Sequence, residues 1–327
     1  MKIVVRIPNW VGDAILARPA LDSLAAHFPG AEIVVAAADW VRDLFGREEG
    51  GPRVLTLDGK GSADALRAEA FDLGLLFTNS FGTALQFRKA GIPERWGYRR
   101  DGRGFLLTKG VKPPDSQAEP RHHIHYYLDL LNKLGLPTLE PELRFRLAPN
   151  ERREAKALLR AQGAGDGRPL VVLNPGASYG PAKRWPAERF AALAGLLRRR
   201  EARIVLTGSA EEAALTAEIA AALDEPPIDL AGRTTLRSLL GIIGEAALFV
   251  TNDTGPMHLA NALRVPVVAI FGPTEPRATA PFHPPATVLK KDAPCGPCLY
   301  RTCPFDHRCL RSISAEEAFQ ACLAYLE

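Results

Sequence analysis

The chain has 327 residues, of which 46% are hydrophobic and 24% are charged, and its formal net charge at pH 7 is +4. This composition excludes an intrinsically disordered chain, and the scattered 28 Gly and 27 Pro exclude a collagen-like or low-complexity one. At roughly 100–200 residues per domain, the length predicts two domains.

Neither a membrane span nor a leader is indicated by the sequence. No apolar run approaches the roughly 18 residues that cross a bilayer. The N-terminal residues 1–6 are typical of a strand and lack the apolar stretch and cleavage site of a signal peptide. We therefore expect a cytoplasmic protein. Its small net charge does not indicate a nucleic-acid partner, and we expect none.

Strand and helix patterns alternate through the first half of the chain. Continuous apolar runs, typical of buried parallel strands, occur at 2–7, 32–37, 54–57 and 73–77. Apolar residues at helical spacing occur at 14–27, 63–70, 80–88 and 122–134. Such alternation predicts βαβ units, in which helices cover both faces of a parallel sheet.

The alternation starts again after residues 137–149, which contain three prolines and little regular pattern. Predicted strands lie at 170–174, 203–206, 248–251 and 267–271, and predicted helices at 151–162, 187–200, 211–223, 236–244, 257–263 and 315–326.

This pattern predicts the α/β class with two Rossmann-like domains, 1–150 and 151–313, and a C-terminal helical segment, 314–327, that packs at the domain junction. Two doubly wound domains of this kind are expected to face each other across a cleft, since ligands of open α/β sheets bind at the carboxyl ends of the strands. No Gly-x-Gly-x-x-Gly follows the first strand, which argues against a dinucleotide dehydrogenase.

One segment of the second domain directly follows a predicted strand and combines a carboxylate, a hydroxyl, a glycine and an imidazole: Asp253, Thr254, Gly255 and His258. Pro256 is typical of the first turn of a helix. Thr254 and Gly255 would then present backbone N–H groups at a helix N-terminus, which attracts anions. His258, one turn further, can reach the same anion. The alternative is that Asp253 or Thr254 only caps the helix.

A second segment, residues 174–186, follows the first predicted strand of the second domain. Its small residues let the backbone approach a ligand closely, and Lys183 and Arg184 add positive charge. The alternative is an ordinary solvated basic pair before a helix. Because both segments lie at carboxyl strand ends of one domain, together they indicate a diphosphate ligand.

The first predicted strand is followed by a short segment that ends in a carboxylate, Asn9-Trp10-Val11-Gly12-Asp13. Asp13 lies at the carboxyl edge of the first sheet, where it can act as a general base toward a ligand held by the second domain. The alternative is that Asp13 merely caps the helix that starts at residue 14.

Taken together, these segments resemble the glycosyltransferase family that contains the ADP-heptose:lipopolysaccharide heptosyltransferases, and most closely its heptosyltransferase II branch. The residues that carry the resemblance lie, in chain order, at 10–13, 174–177, 180–186, 207–209, 251–258 and 271–274. The resemblance implies a GT-B fold, a nucleotide-sugar donor site in the second domain, and an inverting transfer with no obligatory metal or cofactor.

The same resemblance implies roles for individual residues. Asp13 would be the catalytic base, and Lys183 would contact the donor phosphates and stabilise the leaving group. The other donor-binding residues would be two hydroxyl residues, a ribose-binding carboxylate, and the phosphate-side loop with a histidine behind it: Ser178, Tyr179, Glu212, Asp253, Thr254, Gly255 and His258.

Residues 88–112 contain eight basic and two acidic residues, with Trp96, Tyr98 and Phe105 among them. We interpret this stretch as an acceptor platform for the phosphates and sugar acids of a lipid-linked core, or as a contact with the anionic inner membrane. The alternative is an ordinary solvated basic loop. A nucleic-acid groove is the weaker alternative, since no known nucleic-acid module accompanies the stretch.

Four of the five cysteines lie close together in the sequence, as Cys295-x2-Cys298-x4-Cys303-x5-Cys309. The first pair has the spacing of a zinc or iron–sulfur site, whereas the second pair is wider than a zinc ribbon prefers. A structural metal, free packed thiols and disulfides all stay open. Cys322, on the last predicted helix, is expected in the core.

The sequence thus leads to the hypothesis of a cytosolic glycosyltransferase, peripheral at the inner face of the cytoplasmic membrane. It would move a heptose from ADP-heptose to the lipopolysaccharide inner core, on an acceptor of the heptosyl-Kdo2-lipid A type. The alternatives are a GT-B enzyme that uses another nucleotide sugar, an epimerase, a non-catalytic nucleotide-sugar-binding protein, and a basic adaptor that binds membranes or nucleic acid.

Overall fold

A computed structural model describes residues 1–45, 51–59, 61–115 and 120–326. The chain divides into two compact units, Met1–Arg144 and Phe145–Glu327. Each unit contains one six-stranded sheet, and the paired strands of both sheets run parallel. The predicted α/β class, with a doubly wound sheet in each half, is confirmed.

The first unit has the strand order β3-β2-β1-β4-β5-β6. Its strands are β1 (Lys2–Arg6), β2 (Glu32–Ala37), β3 (Arg53–Thr56), β4 (Leu73–Leu76), β5 (Glu94–Tyr98) and β6 (Lys109–Val111). Its helices are α1 (Val11–Leu16), α2 (Arg18–His27), α3 (Asp39–Arg42), α4 (Ser62–Ala68), α5 (Phe81–Lys89) and α6 (Ile124–Lys133), with a 3-10 turn at Arg103–Leu106. The core on one face packs Val4 and Val34 of the sheet against Phe87 of α5.

Two features of the first unit differ from the sequence prediction. The helix predicted at 14–27 is two helices, because Pro19 has no N–H to donate to the Ile15 carbonyl and the chain turns at Ala17. The pattern does not predict β5 and β6, since both strands are short and charged residues interrupt their apolar residues. The basic stretch 88–112 is therefore not one loop but includes two strands of the sheet.

The second unit has the order β12-β11-β10-β7-β8-β9, the same arrangement of first to sixth strand as in the first unit. Its strands are β7 (Leu170–Asn174), β8 (Arg203–Leu206), β9 (Ile228–Asp229), β10 (Leu248–Asn252), β11 (Val267–Phe271) and β12 (Ala286–Lys290). Its helices are α7 (Pro149–Ala161), α8 (Ala187–Arg198), α9 (Ala213–Ala221), α10 (Leu236–Ile243), α11 (Gly255–Ala262), α12 (Pro276–Thr279), α13 (Arg308–Arg311) and α14 (Ala315–Leu323), with 3-10 turns at Pro181–Lys183 and Ala210–Glu212.

The predicted strands at 170–174, 203–206 and 267–271 are confirmed, whereas the pattern does not predict β9 and β12. Two residues are too few to show a strand pattern in β9, and every residue of β12 is only partly buried. Helix α7 is held to α10 by a buried ion pair in which Arg237 Nε donates to Glu151 Oε1 at 2.7 Å.

Helix α14 belongs to the core of the second unit. It packs against α8 and β11, and Cys322 on it is fully buried, as predicted. Burial raises the pKa of the Cys322 thiol to about 12. The final residue, Glu327, lies outside the described residues.

Candidate active site

The carboxyl edge of the second sheet carries most of the residues that the sequence singles out. Strands β11, β10, β7 and β8 are neighbours in the sheet, so the connections that follow them lie side by side. Parallel strands all end at the same edge, which is where open α/β sheets bind ligands. These connections bring together Lys183, Asp253 and Glu212.

Lys183 and Asp253 form a largely buried ion pair. Lys183 Nζ lies 2.5 Å from Asp253 Oδ2, and the side chains are 13% and 5% exposed. Thr274, in the connection after β11, donates its hydroxyl to the same Oδ2 at 2.7 Å. The Lys183 ammonium also lies 5.1 Å from the centroid of the Tyr179 ring. The predicted phosphate contact Lys183 is thus held by Asp253 and lies beside the Tyr179 ring, while Thr274 holds Asp253 in turn.

Asn252, the last residue of β10, bonds to the 174–186 segment on both sides of Lys183. Its Oδ1 accepts from the Trp185 backbone N–H at 3.0 Å. Its Nδ2 donates to the Pro175 carbonyl at 2.7 Å and to the Gly176 carbonyl at 3.1 Å. Because Asn252 is fully buried, these bonds hold the 174–186 segment against the end of β10.

Thr254 and Gly255 lie at the N-terminus of α11, as predicted. Thr254 is the N-cap residue with extended backbone, and its side chain makes no capping hydrogen bond. Pro256 occupies the first turn, and both Thr254 and Gly255 are partly accessible. His258 is buried one turn further along the helix, with 4% of its surface exposed. This end of α11 therefore presents the positive end of the helix dipole beside Asp253.

Glu212 is buried at the end of the connection after β8. Its Oε2 accepts from the Ser209 backbone N–H at 2.9 Å, and its Oε1 lies 3.8 Å from Arg184 Nη2. A Cβ on Gly176 would lie about 2.1 Å from the Glu212 carboxyl carbon, so only glycine leaves Glu212 in this position. The predicted ribose carboxylate, Glu212, thus lies directly against the 174–186 segment.

The two hydroxyl residues of the 174–186 segment differ in their surroundings. Ser178 is exposed. Tyr179 donates its hydroxyl to the Leu299 carbonyl at 2.7 Å, and its own carbonyl accepts from Arg301 Nε at 2.8 Å. The part of the chain between the first and last clustered cysteines therefore supports the loop that carries Lys183.

All five cysteines are free thiols, and the four between Cys295 and Cys309 are partly exposed. Burial raises the pKa of the Cys309 thiol. Within the residues that the structure describes, no group of three or more His, Cys, Asp or Glu side chains is arranged to hold a metal ion. The metal hypothesis for Cys295, Cys298, Cys303 and Cys309 therefore finds no ligand set here, and the disulfide alternative finds no bonded pair.

Asp13 belongs to the first unit, in the first turn of α1 after β1. Its Oδ1 lies 4.0 Å from His123 Nδ1, and the two side chains are 34% and 37% exposed. His123 stacks on the ring of Tyr127 with 5.6 Å between centroids. Burial, and to a lesser extent the Asp13 charge, raise the pKa of the Tyr127 hydroxyl. Asp13 is thus partly open to solvent beside an imidazole.

Sequence reasoning does not select three residues that the structure places in these networks: Asn252, Thr274 and His123. Asn252 ends the buried strand β10 and Thr274 follows the buried strand β11, and both lie within segments that carry the family resemblance, so their position is a signal that could have identified them. His123 has no such signal, because it precedes a helix far along the chain from Asp13 and meets it only through the fold.

No helix within the described ranges has the length and apolar character needed to cross a membrane.

Comparisons with known proteins find relatives that match most of the chain. The chain is 34% identical over 316 residues to lipopolysaccharide heptosyltransferase 2 of Escherichia coli (strain K12), covering 89% of this chain and 88% of that protein. It is 29% identical over 333 residues to lipooligosaccharide heptosyltransferase 2 of Campylobacter jejuni, covering 98% and 97%.

Among solved structures, the ADP-heptose LPS heptosyltransferase II of E. coli superposes with a TM-score of 0.86 and 31% identity, over 100% of this chain and 98% of that one. This structural match supports the predicted GT-B fold. The model of glycosyltransferase family 9 (heptosyltransferase) matches residues 62–308. The chain is therefore a member of glycosyltransferase family 9, the heptosyltransferase family.

Proposed function

We propose that this chain transfers a heptose from ADP-heptose to the lipopolysaccharide inner core, on an acceptor of the heptosyl-Kdo2-lipid A type. The observation that carries the proposal is the Lys183–Asp253 pair beside the N-terminus of α11. A fixed ammonium and a helix N-terminus at one sheet edge suit the diphosphate of a nucleotide sugar. The relatives named above, each a heptosyltransferase 2, support heptose as the sugar.

In this proposal Asp13 is the catalytic base. The acceptor hydroxyl attacks the anomeric carbon of the donor and loses its proton to the Asp13 carboxylate as the bond forms. Attack from the face opposite the leaving group inverts the configuration at that carbon. The transition state has oxocarbenium character, which a nearby carboxylate also favours. His123, beside Asp13, is placed to hold the carboxylate in position.

The leaving group is ADP, which gains negative charge as the glycosidic bond breaks. Lys183 and the backbone N–H groups of Thr254 and Gly255 stabilise that charge, so the reaction needs no metal at the diphosphate. Asp253 holds the Lys183 ammonium toward this position. Glu212 binds the ribose hydroxyls, while Ser178, Tyr179 and His258 complete the donor site.

We place the acceptor on the first unit and the donor on the second. Because the acceptor is anchored in lipid, the enzyme acts at the cytoplasmic face of the inner membrane, in peripheral contact with its anionic surface. It has no nucleic-acid partner.

The test is a transfer assay with purified protein, ADP-heptose and heptosyl-Kdo2-lipid A, with and without a chelator. We expect ADP release and a product heavier by one heptose, at a rate that the chelator leaves unchanged. Thermal stabilisation by a panel of nucleotide sugars identifies the donor, because a ligand that binds only the native state raises Tm. If the protein turns over a different nucleotide sugar instead, that sugar and not ADP-heptose is the donor. If a nucleotide sugar raises Tm but no acceptor is glycosylated, the protein is a binding protein.

A further inference from the structure

Exposed aromatic side chains lie along the carboxyl edge of the first sheet. Each follows a different strand: Trp10 after β1, Trp40 after β2, Phe81 after β4 and Phe105 after β5. Their exposed fractions range from 40% for Phe81 to 69% for Phe105. Since the strands are ordered β2-β1-β4-β5, these side chains form a row, Trp40-Trp10-Phe81-Phe105, which we call the aromatic row.

Neighbours in the aromatic row are held together in pairs. Trp40 Nε1 donates to the carbonyl of Asn9, the residue before Trp10, at 2.9 Å. The rings of Phe81 and Phe105 have their centroids 6.0 Å apart. Single exposed apolar side chains are ordinary, but several along one ligand-binding edge indicate an interaction surface.

Positive charge lies beside the phenylalanine pair. Arg99 and Arg100 follow β5 and Lys112 follows β6, and all three side chains are exposed. Arg100 has a distant partner in Asp101, at 3.9 Å between two exposed groups. Such exposed pairs are weak, so the arginine is available to another anion.

Other basic residues of the stretch 88–112 are occupied within the fold. Arg95 donates to the carbonyl of Leu106 at 2.8 Å. Lys109 donates to the carbonyl of Leu134 at 2.6 Å and lies 4.6 Å from the centroid of the Trp96 ring. Arg99 Nε also donates, to the carbonyl of Gly110 at 2.7 Å, but its side chain is exposed and its terminal nitrogens extend beyond that bond. Arg99, Arg100 and Lys112 therefore carry the exposed positive charge at the carboxyl edge.

A buried cation adds to this charge. Arg103 is fully buried in the 3-10 turn that carries Phe105. Its Nε donates to the Tyr98 carbonyl at 3.0 Å and its Nη1 to the Ser80 carbonyl at 3.4 Å, while Nη2 has no hydrogen-bond partner in the described part of the chain. Burial lowers the pKa of Arg103 to about 10, so the guanidinium stays charged at neutral pH.

We propose that Phe81, Phe105, Arg99, Arg100 and Lys112 form a docking edge that binds an anionic lipid bilayer. The phenylalanine rings enter the acyl region, and the three cations pair with lipid phosphates. Phenylalanine has no polar group to keep in water, which favours a bilayer over a saccharide or a nucleic acid as the occupant. The inference rests on the proposed function, since a lipid-anchored acceptor is what brings the first unit to a membrane.

The experiment measures co-sedimentation of the full chain with vesicles of phosphatidylcholine alone or mixed with phosphatidylglycerol. The wild-type chain is expected to bind the anionic vesicles, less tightly at high salt. Arg99→Ala/Arg100→Ala should weaken binding by about fivefold per residue, and Phe81→Ser/Phe105→Ser by roughly tenfold per residue. Phe105→Trp should retain binding, because tryptophan also partitions into the interface.

Two controls isolate the docking edge. Arg88→Ala/Lys89→Ala removes two exposed charges of the same stretch at the other end of α5, and these should matter little. Thermal melting of each variant verifies that the surface substitutions leave the fold intact.

Equal binding to neutral and anionic vesicles, or unchanged binding of Phe81→Ser/Phe105→Ser, would overturn the docking edge. The docking edge would also be overturned if its variants lost as much affinity for a water-soluble, deacylated acceptor as for anionic vesicles. That result would make the edge a saccharide site. Transfer to an acceptor in detergent separates the two proposals. If that transfer occurs while vesicles are not bound, the docking edge is wrong and the function stands; if vesicles bind but no acceptor is glycosylated, the function is wrong and the docking edge stands.

Discussion

The two units share a strand order but carry opposite chemistry at the carboxyl edge of the sheet. In the second unit Asn252 and Asp253 at this edge are buried and hydrogen-bonded within the fold: Asn252 is fully buried and Asp253 is 5% exposed. In the first unit the large side chains at the same edge are aromatic and exposed, with Trp40 at 60%. Its candidate base, Asp13, is 34% exposed.

The difference shows what topology determines and what the loops determine. The strand order places a ligand edge in both units. In the second unit a network of buried bonds fixes charges in advance, so no reorganisation is needed when charge develops on a diphosphate. In the first unit exposed rings and arginines offer an open surface, which suits the membrane in which a lipid-linked acceptor is anchored. We expect removal of the acceptor proton to depend on one residue in the first unit, whereas donor affinity and stabilisation of the leaving group depend on many residues in the second.

The largest expected effect is from Asp13→Asn, which separates the roles of the two units most clearly. It keeps the size of the side chain but removes the base, so the transfer rate should fall by about 100- to 10,000-fold. Stabilisation by ADP-heptose should not change, because the donor network lies in the second unit. Asp39→Asn is the matched control, since Asp39 occupies the first turn of the helix after β2 and is exposed. A variant that kept nearly full turnover would show that Asp13 is not the base.

Lys183→Ala tests whether the carboxyl edge of the second sheet, called the second edge below, holds its charges in position before the donor binds. We expect the rate to fall by about 100- to 1,000-fold and the affinity for ADP to fall with it. The variant should also lose about 3 kcal/mol of unfolding free energy, since it leaves the buried Asp253 carboxylate without its cation.

The control for Lys183→Ala is Lys291→Ala, which removes an exposed ion pair with Glu317 at 2.8 Å. Its cost should stay below about 1 kcal/mol, with no change in rate. Isothermal titration with ADP and urea denaturation measure both quantities. If Lys183→Ala bound ADP with wild-type affinity, Lys183 would not be part of the donor site.

Gly176→Ala examines how tightly the second edge is packed. The added Cβ would lie about 2.1 Å from the Glu212 carboxyl carbon, so Glu212 must leave the Ser209 amide. We expect a loss of about 1–3 kcal/mol in stability and roughly tenfold weaker binding of ADP. Gly195→Ala, inside α8 with open space around it, should instead stabilise by about 0.5–1 kcal/mol. The Tm and the ADP affinity of both variants are measured. Equal Tm and equal ADP affinity in the two variants would show that Glu212 is not packed against position 176.

Much of the fold follows from the sequence because buried parallel strands are continuous apolar runs. The strands at 170–174 and 267–271 are entirely buried and have the predicted bounds. Strand β5 escapes prediction because three of its five residues, Glu94, Arg95 and Trp96, are not buried, so sheet pairing rather than apolar pattern defines it.

The site divides in the same way. Lys183, Asp253 and Glu212 come from loops beside predicted strands, and the fold brings these loops together. The contact between Asp13 and His123 could not be predicted, since it depends on how α6 packs against α2. The Tyr179 hydroxyl could not be placed either, because its partner Leu299 lies in a segment without regular structure.

The smallest expected effect is from Tyr179→Phe, and it asks how far the rigidity of the second edge extends. The hydroxyl donates to the Leu299 carbonyl at 2.7 Å, so its removal should cost about 0.5–1.5 kcal/mol. The ring stays beside Lys183, and kcat should change little because the Lys183–Asp253 pair is intact.

The control for Tyr179→Phe is Tyr300→Phe. Tyr300 is next to Leu299 in the chain and half exposed, and its substitution should leave Tm and KM for ADP-heptose unchanged. A loss of rate in Tyr179→Phe as large as that in Lys183→Ala would contradict the small effect. It would mean either that the hydroxyl contacts the donor phosphates or that the segment between the cysteines sets the position of Lys183. Arg301→Ala distinguishes these explanations, because it removes the bond to the Tyr179 carbonyl and leaves the hydroxyl in place.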